Sequence, residues 1–287
     1  MERRSDHRHR RRSIRHARNH QSAQGGDGLK LTFLGTGTSF GIPQIGCACE
    51  VCRSTDPRDK RTRVGALVET DGGTRILIDT PPELRLQLIG AGVSKVDAIL
   101  FTHDHADHVQ GIDDVRALSD QNDVPIDMYG PPDSMARLAK RFSYIFDDSI
   151  RPLPGTSKPE GRARAIPPGK SFRVGDVEIM PVSVPHGPIS VYGYRIGKLG
   201  YITDAKELPE DALRAFRGVD VLVLNALFRT PHPTHLSVSE AVSAAQKVGA
   251  RQTWLTHLTH RTAHSELEKE LPSGIAPAFD GLTVRIE

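Results

Sequence analysis

Long apolar runs are missing from this 287-residue chain. Nothing approaches the roughly 18 consecutive apolar residues that cross a bilayer, so a membrane-embedded protein is not expected. No apolar stretch follows the basic N-terminus either, which argues against a secretory signal and makes the cytoplasm the expected location. Cysteine is scarce: there are three, Cys47, Cys49 and Cys52. An odd number packed this closely does not build a disulfide framework. The dinucleotide-binding fingerprint is also absent. The loop from Gly35 to Gly41 spaces its glycines as G-x-G-x-x-x-G, and no helix signal stands directly behind it. No repeat of solenoid length occurs.

A basic surface is missing as well, despite a formal charge of +3. Residues 1–28 hold eight arginines against Glu2, Asp6 and Asp27, which leaves 30 basic and 32 acidic side chains for the remainder. The globular part is therefore not a nucleic-acid platform. The tail 1–28 lacks apolar periodicity and is expected to be disordered, and it alone could touch RNA, DNA or an acidic surface. A 37% hydrophobic content is enough for a core, and 29–287 is expected to form one domain.

What the chain does have is histidine in a particular place. Phe101-Thr102-His103-Asp104-His105-Ala106-Asp107-His108 follows an apolar, β-prone segment, Val96 to Phe101, and precedes a stretch of helical character. Ligands leaving a strand end through a tight loop into a helix can direct His103 and His105 to one metal ion, and Asp107 and His108 to a second. Imidazole and carboxylate suit zinc, manganese or iron. Polar turns favour Gly, Asn, Asp and Ser, so a merely solvated turn is a poor account of three histidines.

The HxHxDH pattern resembles the metallo-β-lactamase superfamily. That resemblance implies three further ligands, each at the end of a later strand. The chain offers His186 after Val177 to Val184, Asp204 after Leu199 to Thr203, and His257 after Gln252 to Thr256.

Other elements are legible. Leu29 to Leu34 reads as the first strand. Val64 to Thr70 and Thr74 to Asp79 form a hairpin around Asp71-Gly72-Gly73. A helix starts near Pro82 and ends by Gly90. Ile126 to Tyr129 is a short strand, Asp133 to Phe146 a helix, and Val219 to Leu224 a buried strand. Ser237 and Glu240 form a capping box for a helix that closes near Gly249. The proline-rich stretch 147–170 is expected to be a long excursion that could form a lid beside the site. Two strand series, each with helices, predict an α/β fold of αββα type: two mixed sheets face to face, with helices outside.

Three thiolates at C-x-C-x-x-C spacing can seize one face of a zinc ion, and a fourth ligand would complete a closed structural shell. His260, three residues after His257, is the expected fourth ligand, with His264 competing.

Together these features are similar to one branch of the superfamily, the PhnP phosphodiesterases. These join HxHxDH to a glycine-flanked C-x-C-x-x-C motif and share a closing segment like Leu255-Thr256-His257-Leu258-Thr259-His260, followed by Leu271-Pro272-Ser273-Gly274 and Asp280-Gly281. The resemblance covers residues 29–287. It implies hydrolysis of a small cyclic phosphodiester such as phosphoribosyl 1,2-cyclic phosphate. His103, His105 and His186 would hold one divalent ion (zinc or manganese) and Asp107, His108 and His257 the other, with Asp204 bridging. Beside Asp107, His235 would be catalytic, with His232 as the neighbouring alternative. A homodimer is also implied. The expected chemistry is hydroxide attack on phosphorus with His235 protonating the leaving oxygen. Asp79, at a strand end, would orient a ligating imidazole or cap the turn. Arg63, Arg229 and Lys206 are substrate-gripping candidates by position. The rival readings are a tRNA-trimming endoribonuclease and a non-catalytic carrier resembling the pyrroloquinoline quinone biosynthesis protein.

Overall fold

The computed structural model describes residues 28–122 and 124–287, so the expectations for residues 1–27 fall outside it. Six strands pair in chain order: β1 (Leu29–Gly35), β2 (Gly65–Thr70), β3 (Arg75–Ile78), β4 (Ala98–Leu100), β5 (Ile126–Gly130) and β6 (Gly161–Ala165). A second series does the same: β7 (Phe172–Val174), β8 (Val177–His186), β9 (Ile189–Ile196), β10 (Leu199–Ile202), β11 (Val221–Asn225), β12 (Gln252–Thr256) and β13 (Ile275–Pro277). The final strand, β14 (Thr283–Ile286), returns to the first sheet beside β1, making seven strands in each. Each sheet is antiparallel in its first half and parallel in its second.

Alternation in β1 shows why the sheets face each other. Leu29, Leu31 and Phe33 point inward and are buried with Ile76, Ile78, Tyr194, Tyr201 and Val223 from both sheets. The continuous apolar runs of β10 and β11 have no polar face because helices cover their backs. The helices are α1 (Glu50–Arg53), α2 (Leu84–Gly90), α3 (Ala106–Val109), α4 (Arg116–Asn122), α5 (Pro132–Arg141), α6 (Ser143–Phe146), α7 (Glu210–Phe216), α8 (Val238–Val248) and α9 (His264–Glu270). Helices α2 to α6 form one outer layer, and α7 and α8 the other, each over its own apolar cluster. The αββα architecture is as expected. The Ser237–Glu240 capping box and the left-handed Gly249 at the end of α8 are present as read.

Two expectations fail. The helix expected over 133–146 breaks at Phe142, whose φ of −117° and ψ of 45° leave the helical region, so α5 and α6 are separate. The excursion 147–170, expected as a lid, does not line the cleft described below. Its second half is β6, an edge strand whose arginine-rich outer positions are exposed. Among the described residues no helix is long and apolar enough to cross a membrane.

Candidate functional site

The residues expected to ligate the metals follow the C-terminal ends of strands: HxHxDH after β4, His186 at the end of β8, Asp204 after β10 and His257 after β12; His235 lies farther on, in the loop between β11 and α8. In α/β sheets that edge is where loops converge and ligands bind. Two non-glycine residues among those described take a left-handed conformation, Asp79 (φ 60°) and His257 (φ 57°), and both lie at this edge. Such backbone strain concentrates where surrounding structure holds a side chain in place for use.

The structure gathers these side chains. His103, His105 and His186 present ligand-capable atoms within 4.8 Å of one another, and so do Asp107, His108 and His257. Asp204 lies between the two sets. Its Oδ2 is 3.3 Å from His108 Nε2, its Oδ1 is 3.5 Å from His257 Nε2, and it groups with His103 and His108. His235 Nε2 is 2.9 Å from Asp204 Oδ1. That places His235 closer to the cluster than a residue merely facing it, and it also groups with His186 and Asp204.

Buried partners fix the rings from behind. His108 Nδ1–H donates to Asp79 Oδ2 at 2.7 Å. The Thr102 hydroxyl donates to the same carboxylate at 2.8 Å and accepts from His103 Nδ1 at 3.0 Å. His186 Nδ1–H donates to the carbonyl of Thr234 at 2.9 Å. Each bond turns the ring's other nitrogen toward the centre. Asp79 was open between two roles, and its geometry serves both: it orients His108, and its Oδ1 accepts from the Thr102 backbone N–H at 2.8 Å.

The electrostatics are those of a negative hole. Burial pushes the His103 imidazole well below its usual range and His186 down to about 4. Burial acts the same way on His108, but the carboxylates of Asp204, Asp107 and Asp79 outweigh it and raise that ring to about 10. Burial also works against ionising Asp204, yet His257 and His108 hold its carboxyl well below the carboxylate range. Three carboxylates around buried imidazoles call for compensating positive charge.

The atoms that would meet such a charge have no other partner. His103 Nε2, His108 Nε2, Asp204 Oδ2 and both ring nitrogens of His257 are buried and make no hydrogen bond. Buried polar atoms are rarely left so. His103 Nε2, His108 Nε2, Asp204 Oδ2 and His257 Nε2 belong to the clustered groups and fit divalent cations held by imidazole and carboxylate.

The cysteine cluster fits a single ion equally well. Cys47, Cys49 and Cys52 Sγ lie 3.2, 3.4 and 3.5 Å from His260 Nδ1. A tetrahedral zinc with ordinary bond lengths sets sulfur and nitrogen about 3.5 Å apart. The Cys52 N–H draws the Cys49 thiol down to about 6, while burial pushes Cys52 up to about 11. A thiolate forms readily at Cys49, whereas at Cys52 it needs a cation. His264 is no competitor: it turns into the protein, where its Nδ1 lies 3.1 Å from the buried Arg61 guanidinium.

A cleft of about 590 Å³ opens over the cluster, lined by His105, Asp107, His186, Asp204, His235 and His257 and then by Thr38, Phe40, Gln44, Phe228, His232 and Arg261. The three cations expected to grip substrate do not line it. Arg63 pairs with Glu83, Arg229 with Glu266 and Glu270, and Lys206 with Glu240. Carboxylates nearby in the fold, unreadable from sequence position, claim each of them. Arg261, which does line the cleft, was missed, although it directly follows the zinc-ligand candidate His260.

A model of the beta-lactamase superfamily domain matches residues 74–258. A solved structure described as a new diphosphatase from the PhnP family superposes with a TM-score of 0.83 at 38% identity, covering 90% of this chain and 97% of that one. The chain belongs to the metallo-β-lactamase superfamily, in its PhnP family. An octanoyltransferase of Porphyromonas gingivalis is 35% identical over 90% of this chain, which spans only 52% of that protein's length. Ribonuclease Z of Bradyrhizobium sp. is 26% identical over 89% of this chain and all of its own. The fold is that of metal-dependent hydrolases in this superfamily.

Proposed function

We propose that the protein is a dinuclear-metal phosphoric ester hydrolase acting on a small phosphodiester, with a cyclic phosphate of the phosphoribosyl 1,2-cyclic type as the reference substrate. The carrying observation is the place of Asp204, one carboxylate within reach of both ligand triads. His103, His105 and His186 would hold one ion and Asp107, His108 and His257 the other, with Asp204 between them. Bound there, divalent cations supply Lewis acidity, an activated water and charge neutralisation on phosphate oxygens.

The chain's own part is positioning. Asp79, Thr102 and the Thr234 carbonyl hold three imidazoles at fixed tautomers. As an imidazolium, His235 would aim its Nε2–H at Asp204 Oδ1, 2.9 Å away, while its Nδ1–H donates to the Thr234 hydroxyl at 2.8 Å. The Nε2 proton can pass to a leaving oxygen of high pKa. Phosphoryl transfer needs placement and electrostatics rather than a protein nucleophile, and no serine or cysteine lies among the inner residues of the cleft.

A phosphoanhydride is the second reading, favoured by the relative described as a diphosphatase. A tRNA-trimming role is disfavoured by the slightly acidic balance beyond residue 28. A carrier role is disfavoured by the complete ligand set. On protein of measured metal content, turnover should appear with cyclic diesters, linear diesters or diphosphate diesters, and exceed that with lactones, thioesters and precursor tRNA. Fully metal-loaded protein that leaves every phosphate ester intact would end the proposal.

Asp79→Asn tests the support behind His108. Asparagine tolerates the left-handed backbone and keeps an acceptor for the turn, but removes the charge that binds the imidazole. A loss of about 10- to 100-fold in metal affinity or activity is expected. An unchanged metal titration would leave Asp79 as a turn cap only.

A further inference from the structure

The outer half of the cleft is not explained by the metals. Phe40 is 63% exposed there although its loop is tightly held. Thr38 N–H bonds the Leu258 carbonyl at 3.1 Å, Gly41 N–H bonds that of Thr38 at 2.9 Å, and Ile42 exchanges backbone bonds with Arg61 at 2.8 and 2.9 Å. An ordered loop thus presents an aromatic ring that the core does not use. Phe228 lines the same cleft, half-buried, with its ring 5.6 Å from that of His232. Arg261 lines it too, exposed, and forms no ion pair among the described residues, unlike Arg63, Arg229 and Lys206. The volume of about 590 Å³ admits a ligand of nucleotide size.

We propose that Phe40, Phe228 and Arg261 form a nucleotide subsite, in which the aromatic wall takes a nucleobase and the guanidinium takes a phosphate beyond the one at the metals. Planar bases stack on aromatic faces whatever their sequence of donors and acceptors. An unpaired guanidinium recognises phosphate by a two-pronged hydrogen bond. The subsite rests on the phosphoric ester reading and redirects it, from base-free sugar phosphates such as the reference cyclic phosphate to esters that carry a base and more than one phosphoryl group.

Calorimetry on metal-loaded protein, freed of excess ion, tests this without relying on turnover. 5′-AMP should bind roughly 5- to 100-fold more tightly than ribose 5-phosphate, which differs from it only by the base. Phe40→Ala should erase that margin. Arg261→Gln should preserve it and instead narrow the gap between ADP and AMP. Equal affinities for AMP and ribose 5-phosphate, in a protein that does hydrolyse phosphate diesters, would overturn the subsite alone. Absence of all diester turnover would overturn the parent reading instead. A Phe40→Ala protein that changes its sedimenting mass and keeps the AMP margin would make Phe40 a contact between copies, and would also overturn the subsite.

Discussion

His235→Ala is expected to keep both ions of the histidine–aspartate cluster and to lose about 10²–10⁴-fold in kcat, the usual loss for a general acid. The structure sharpens this test. His235 stands 2.9 Å from Asp204, and its nitrogen groups with His186 and Asp204 closely enough to ligate an ion itself. Ligand and proton donor are therefore both open to it by distance. They part on metal content: a ligand's removal lowers stoichiometry or affinity, whereas a proton donor's removal leaves both intact. Burial holds the His235 ring below its usual range, against the opposing pull of Asp204. Elemental analysis beside steady-state kinetics decides the question. A variant that loses an ion makes His235 a ligand, and one that keeps both ions and near-normal turnover removes it from the chemistry.

The second large effect is expected from the cysteine cluster. Cys49→Ser with Cys52→Ser should release one zinc per chain and lower the thermal midpoint by about 5–10 °C, as loss of some 3 kcal/mol would do in a domain of this size. Zinc binding to such a set is worth more than that in small domains that depend on it, but here two sheets with their own cores remain. Activity should fall too, although no cysteine lines the cleft. The cluster joins the loop carrying Thr38, Phe40 and Gln44 to the segment running from His257 to Arg261, and both segments form cleft wall. Cys49 also caps α1, its sulfur accepting from Cys52 N–H at 3.4 Å. Zinc content, thermal melts and kcat/KM on the same preparation check this. A double variant that melts normally and still binds one further zinc would show that the thiols hold no structural ion.

Most of the chemistry was legible because it is local. Three histidines and a carboxylate within HxHxDH, three cysteines in one short loop, and polar residues stopping apolar strands are patterns that chain spacing preserves. His260 was preferred to His264 from spacing; in the fold its Nδ1 lies within 3.5 Å of all three sulfurs, while α9 begins at His264 and carries that ring inward against Arg61. The misses are all non-local. Arg63, Arg229 and Lys206 looked free because Glu83, Glu266, Glu270 and Glu240 reach them only in the folded chain. The break at Phe142 and the strand within 147–170 depend on what each segment packs against. Arg261 and Phe40 carry no motif, and only their place in the cleft lining marks them.

The sequence alone determined the strand series, the donor atoms and the kinds of ion they suit, since these follow from side-chain chemistry and period. Tertiary structure decided which donors meet, which imidazole nitrogen faces the centre, and which cations stay unpaired. Those depend on distances of a few ångströms between residues far apart in the chain, such as Asp79 and His108 or Cys47 and His260. Side-chain pairing and burial set them, and neither can be read along one strand.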